Sequence, residues 1–160
     1  MTIAVVDLAE YILEKKGIMT TMQLHKLIYF IQAWHLVFEG CQLFDEEIHA
    51  WGKGPVVPFL YSLHKDRISL SCGFLNGNSN NIPNDSMFAI EYAIDSFEAN
   101  DEREKNFTNI RDPWEKARIG LSEKDRGHSI ITNQSMYEYY KSILKFKKEL
   151  MQSLEYFHYE

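Results

Sequence analysis

The run Leu27-Ile28-Tyr29-Phe30-Ile31-Gln32-Ala33-Trp34-His35-Leu36-Val37-Phe38 carries no formal charge and is apolar nearly all the way round a helix. A surface helix keeps one polar face, so a helix lacking one has to be packed on most of its sides. The run is also well short of the roughly 20 residues needed to span a bilayer. It therefore predicts a central helix in a globular domain, with Tyr29, Phe30, Trp34 and His35 taken inside. Thr20 and Thr21 are positioned to cap its start, and Gly40 to stop it in a left-handed turn.

The remaining chain reads as material to surround that helix. At 160 residues, 45% hydrophobic and 25% charged, it has the length of one domain and too much apolar content for an intrinsically disordered segment. Val5, Leu8, Ala9 and Ile12 recur at helical spacing ahead of Lys15-Lys16-Gly17. Gly52-Lys53-Gly54-Pro55 punctuates the chain as a breaker, and Pro55 and Pro58 admit a third helix over 57–66, since proline is tolerated where a first-turn N–H has no partner. Met87, Ile90, Ala93, Ile94 and Phe97 predict a fourth over 85–100. Asp112-Pro113-Trp114 opens a short helix to Ile119. Thr132 or Asn133 caps a long C-terminal helix over 132–160, with Met136, Tyr140, Ile143, Leu150, Leu154 and Phe157 as its apolar stripe. Loose alternation over 44–51 and clearer alternation over 68–74 predict short strands. Residues 76–84 are rich in Asn, Gly and Ser with no periodic apolar residue to dock them, and read as a mobile, variable loop. The expected fold is mainly α: a single domain over 1–160 of five to six helices with a minor β element.

Charge is unevenly placed. Lys and Arg number 17 against 23 Asp and Glu, and the whole deficit of 6 falls between Asp85 and Glu104. Nucleic-acid binders draw most of their non-specific affinity from a basic field, which this chain lacks, so nucleic acid is not the expected partner. The first residues, Met1 to Asp7, form no secretory signal, and the expected location is the cytoplasm. Cys41 and Cys72 stand apart and read as free thiols. The six histidines form no HExxH pattern, and Gly52-Lys53-Gly54 lacks the length of a phosphate loop. Neither a metal nor a cofactor is expected. His35 on an apolar helix reads as a hydrogen-bonded core histidine or as a general base, and Cys41 as an isolated thiol or a nucleophile. Taken together these residues assemble no enzyme.

The residues without a chemical role carry a resemblance instead. Met19 through Leu36, with Leu24, Lys26, Leu27, Tyr29, Gln32, Ala33, Trp34, His35 and Leu36, resembles the first signature of the Panacea-domain, SocA-like antitoxin family, which is associated with phages and mobile elements. Leu43 through Tyr61, containing Ala50-Trp51, Gly54-Pro55-Val56-Val57-Pro58 and Leu60-Tyr61, is similar to its second. Pro113-Trp114, Ala117-Arg118 and the segment Ile130 to Tyr140 resemble its later motifs. Where relatives carry a Thr-His pair before Pro-Trp, this chain has Asn109-Ile110-Arg111-Asp112. The resemblance implies an antitoxin of a type II-like toxin–antitoxin system, neutralising a cognate protein toxin by direct binding. One member type presents its toxin to a protease, so it also implies an adaptor role.

The candidate binding surface is the segment in which a Gly/Pro backbone holds large side chains together: Trp51, Gly54, Pro55, Val56, Pro58, Tyr61 and His64. Gly54 is expected to supply a positive φ or a close approach. Trp51, Tyr61 and Trp114 are either core rings or partner anchors. A secondary candidate is the acidic face of the fourth helix, Glu91, Asp95 and Glu98, which either meets a basic toxin surface, keeps the chain soluble, or pairs with Lys141, Lys145 and Lys148. The competing reading is a DNA-binding transcriptional regulator, because helix, turn and capped helix around 17–34 resemble a helix-turn-helix. Its supposed recognition helix carries Lys26 as the sole formal charge.

Overall fold

A computed structural model of the chain describes residues 1–101 and 111–158. In order these form α1 (Val5–Lys16), β1 (Met19–Thr20), α2 (Thr21–Glu39), β2 (His49–Trp51), β3 (Gly54–Val56), α3 (Pro58–His64), β4 (Ser69–Leu70), α4 (Met87–Asp101), α5 (Arg111–Ala117) and α6 (Asn133–His158). The chain is mainly helical, with two small antiparallel sheets, β1–β4 and β2–β3.

The central helix is α2. Thr20 Oγ accepts the Gln23 N–H at 3.1 Å while Gln23 Oε1 accepts the Thr20 N–H at 3.4 Å, so two donors of its free N-terminus are satisfied reciprocally. Gly40, at φ 74°, ends it. Leu24, Leu27, Ile28, Tyr29 and Ile31 are completely buried, against α4, α6 and β3. Trp34 packs edge-on to Tyr92 (ring centroids 4.9 Å apart) and Tyr140 (5.3 Å), so large rings from three helices meet in one core. Gln32 secures the chain after the helix, donating to the Phe44 carbonyl (2.9 Å) and accepting the Leu43 N–H (2.8 Å). At the same end the two ring nitrogens of His35 lie 2.6 Å from the Cys41 carbonyl and 2.9 Å from Ser86 Oγ, which makes it a core histidine. Cys41 is exposed and free, as is Cys72.

Three sequence expectations are corrected. The strand over 68–74 shrinks to Ser69–Leu70, because its partner β1 is only two residues long between Gly17 and the start of α2. The loop over 76–84 is docked and contains a short 3-10 turn, Ser79–Asn81. Ile82 packs against the core, and the buried Asp7 carboxylate accepts the Asn78 N–H at 2.8 Å and the Asn81 Nδ2–H at 3.0 Å. Third, Gly52 to Pro55 interrupts no structure but is the turn and the outgoing strand of the β2–β3 hairpin. Thr132 is the cap of α6, its hydroxyl accepting the Ser135 N–H at 3.1 Å. The expected acids and base Glu102, Arg103 and Glu104, and the departing positions Asn109 and Ile110, lie outside the described residues. Among the described residues, no helix is long and apolar enough to cross a membrane.

Candidate functional site

The β2–β3 hairpin pairs His49 with Val56, Ala50 with Pro55 and Trp51 with Gly54. Proline is tolerated here because its rung needs no N–H: Ala50 turns its own N–H outward to the Ser129 carbonyl, at 2.9 Å. Gly54 has φ 142°, the unusual backbone expected of it.

Two residues of the later segment fix this hairpin from behind. Trp114 Nε1–H donates to the Trp51 carbonyl at 2.7 Å. Arg118, buried to 7% exposure, spends its guanidinium on four backbone carbonyls: Ala50 (2.9 Å), Arg126 (3.0 Å), Ser122 (2.7 Å) and Asp125 (2.7 Å). A buried charge is tolerable only when its donors are satisfied, and the planar fork of arginine can bridge several acceptors at once. Arg118 thereby ties the loop over 121–127 to the hairpin. The approach is so close that a Cβ on Gly52 would lie 2.8 Å from the Glu123 carbonyl.

Hairpin, loop, α3 and the first turns of α2 enclose a concavity of about 550 Å³. Thr21, Met22, His25 and Lys26 line it from α2, Trp51 through Val56 from the hairpin, Tyr61 and His64 from α3, and residues 123–126 from the loop. Trp51 meets Tyr61 edge-on (4.9 Å), and the Arg126 guanidinium lies over both rings, 4.4 Å from the Trp51 centroid and 5.4 Å from that of Tyr61.

His25 and His64 form a buried pair, their Nε2 atoms 2.7 Å apart. Val57 N–H donates to His25 Nδ1 at 3.1 Å, which makes that nitrogen an acceptor and leaves the proton on His25 Nε2. His25 then donates to His64 Nε2, so the proton of His64 sits on Nδ1, a buried atom with no hydrogen-bond partner. Trp51 Nε1 is a second buried N–H without one. Burial, reinforced by the neighbouring His64, pushes the His25 pKa down to about 3; burial also lowers that of His64. Both rings are neutral near pH 7.

Of the sequence candidates, Trp51, Gly54, Pro55, Val56, Tyr61 and His64 line one concavity. Pro58 is outside the lining and opens α3 as its first residue. Trp114 is a half-buried brace. On the acidic face of α4, Glu91 accepts Tyr11 Oη and pairs with Lys15, and Glu98 pairs with Lys16, so among the described residues its cations within the fold come from the last turn of α1 and not from Lys141, Lys145 or Lys148 of α6. The Glu91 carboxyl is raised by burial, but Lys15 and Tyr11 outweigh this and its pKa falls; burial and Glu91 together raise that of Tyr11 to about 12. Asp95 stays exposed.

His25, Lys53, Arg118 and Arg126 belong to the site yet were not singled out from the sequence. His25 and Arg118 do fall within the family-like motifs, and polar residues there were the available signal. Arg126 had none, as its loop reads only as polar.

Among the described residues no group of three or more His, Cys, Asp or Glu side chains is placed to hold a metal ion. A family model described as antitoxin SocA-like, Panacea domain, matches residues 24–155, which include the whole hairpin, α3, Trp114, Arg118 and the loop. No curated protein and no solved structure matches the chain.

Proposed function

We propose that this chain, which belongs to the SocA-like antitoxin family with a Panacea domain, neutralises a cognate protein toxin by binding it directly through the concavity between hairpin, loop and α3. The observation that carries the contact surface is the grouping of Trp51, Tyr61 and Arg126 at its wall. These are the residue types that dominate binding energy at protein interfaces. Arg118, Trp114 and the Gly52 contact hold them in place before any partner arrives, which reduces the ordering cost of association. Binding alone accounts for such a site, since stoichiometric inhibition needs a shaped surface and no reacting group.

The same geometry favours toxin binding over DNA reading. Leu24, Leu27, Ile28 and Ile31 of α2 are fully buried, and its His25 is tied to His64 and Val57. A recognition helix has to expose side chains of that kind to a groove.

The test is co-expression of the product of the neighbouring gene in a bacterial host, with and without this chain carrying an affinity tag. Restored growth together with a stable co-purifying complex supports the reading, and Trp51→Ala with Tyr61→Ala should abolish both in a chain whose circular dichroism is unchanged. Restored growth with no complex, accompanied by loss of the toxin, points instead to delivery to a protease. Undiminished protection by the double variant removes the concavity as the contact surface.

A further inference from the structure

Resting on the antitoxin reading above, we infer that the part of the toxin seated in the concavity is acidic: a segment carrying carboxylates beside an uncharged anchor side chain. The chain as a whole carries a net charge of −6, which taken alone predicts a basic partner. The structure distributes that charge differently. On α4, Glu91 and Glu98 are neutralised by Lys15 and Lys16 within the fold. Around the concavity the balance is reversed, with Lys26, Lys53, Lys124 and Arg126 against Glu123 and Asp125.

Of those two acids, Asp125 is engaged by its own loop, accepting the Ser122 N–H at 3.2 Å. Lys53, in the hairpin turn, and Lys124, in the loop, are exposed, and among the described residues neither has a carboxylate within ion-pair distance. The positive end of the α2 dipole opens on the same space through Thr21 and Met22, and adds to the field felt by an anion. The interior is different. The His25–His64 pair, Pro55 and Val56 offer an uncharged floor, and the ring of Trp51 an apolar wall. A neutral aromatic or aliphatic side chain fits inside while flanking carboxylates meet the lysines outside. Charges placed at a rim act mainly on encounter, raising the association rate in a salt-dependent way and excluding partners of the wrong sign.

The experiment uses the full chain and the toxin from the co-expression assay, mixed by stopped flow at about 0.05 and 0.3 M salt, either side of physiological ionic strength. For the wild type, association should slow as salt rises. Lys53→Glu with Lys124→Glu should lower the association rate constant by about 10-fold or more at low salt and abolish or invert the salt dependence, with circular dichroism unchanged. Glu149→Lys, exposed on α6, should leave it within about 2-fold of the wild type. Wild-type binding that the double lysine variant leaves unchanged or accelerates overturns this inference and spares the antitoxin reading. Failure of the wild type itself to bind overturns both.

Discussion

The two ends of α2 each bury a histidine, and they differ in what surrounds it. At the C-terminal end His35 has partners for both ring nitrogens, the Cys41 carbonyl and Ser86, and Gln32 closes the neighbouring backbone. At the N-terminal end His25 relies on His64, whose remaining N–H has no partner, beside a concavity walled by the hairpin and a loop from far along the chain. Every polar group left buried without a partner lowers stability. The first end is built to hold the fold together. The second is held together from outside, by Arg118 and Trp114, around the concavity we propose as the toxin contact.

The largest test of that contrast is Arg118→Met. Removing the guanidinium takes its donors from four carbonyls, of which, among the described residues, that of Ser122 alone keeps another, the Asp125 N–H, and should cost about 4 kcal/mol in urea denaturation. The damage should concentrate at the N-terminal end of α2: amide exchange over 49–64 and 121–127 should accelerate, while the Gln32 and His35 region stays protected. Uniform acceleration across both ends would break the comparison. His35→Phe strands the Cys41 carbonyl and the Ser86 hydroxyl, and should cost about 2 kcal/mol without loss of toxin protection at permissive temperature. Loss of toxin binding by a folded His35→Phe protein would place function at the wrong end.

Acidification should act through the His25 end. Its folded pKa of about 3 lies below the ordinary value of 6.5, so between these values the unfolded chain binds a proton that the native state refuses. Stability from this group is therefore fully present above about pH 6.5 and is lost progressively as pH falls toward 3. Urea titrations at pH 7 and 5 should differ by about 2 kcal/mol from His25, with His64 adding in the same direction. A chain equally stable at both values would contradict the neutral buried pair. The smallest effect belongs to the α1–α4 contact: Lys15→Met should cost under about 1 kcal/mol, because the pair is partly exposed and screened by water.

What the sequence made legible was set by local physics. The bounds of α2 follow from Thr20, Gln23 and Gly40, all within a turn of its ends, and its central position from the charge-free run. The hairpin was obscured because Gly52, Gly54 and Pro55 read as breakers, whereas their role comes from a loop some 70 residues later that packs against Gly52. The docked Asn-rich loop was hidden for a similar reason, since the Asp7 carboxylate that anchors it lies some 70 residues earlier. Half of the concavity's lining was readable as a segment, Trp51 to His64. Its other half was not: His25 sits 39 residues before its partner, and the loop whose cation Arg126 lies over Trp51 comes some 70 residues later, tied to the hairpin by Arg118. The acidic face of α4 was correctly amphipathic, but the lysines that neutralise it lie 76 or more residues away.

Hydrogen–deuterium exchange on the antitoxin with and without its toxin tests the central claim most directly, because it reports the contact region without any substitution. The account predicts slowed exchange in 49–64 and 121–127, with α4 and the C-terminal half of α2 unchanged. Protection confined to α4 or α6, with the hairpin and loop exchanging as in the free chain, would contradict it.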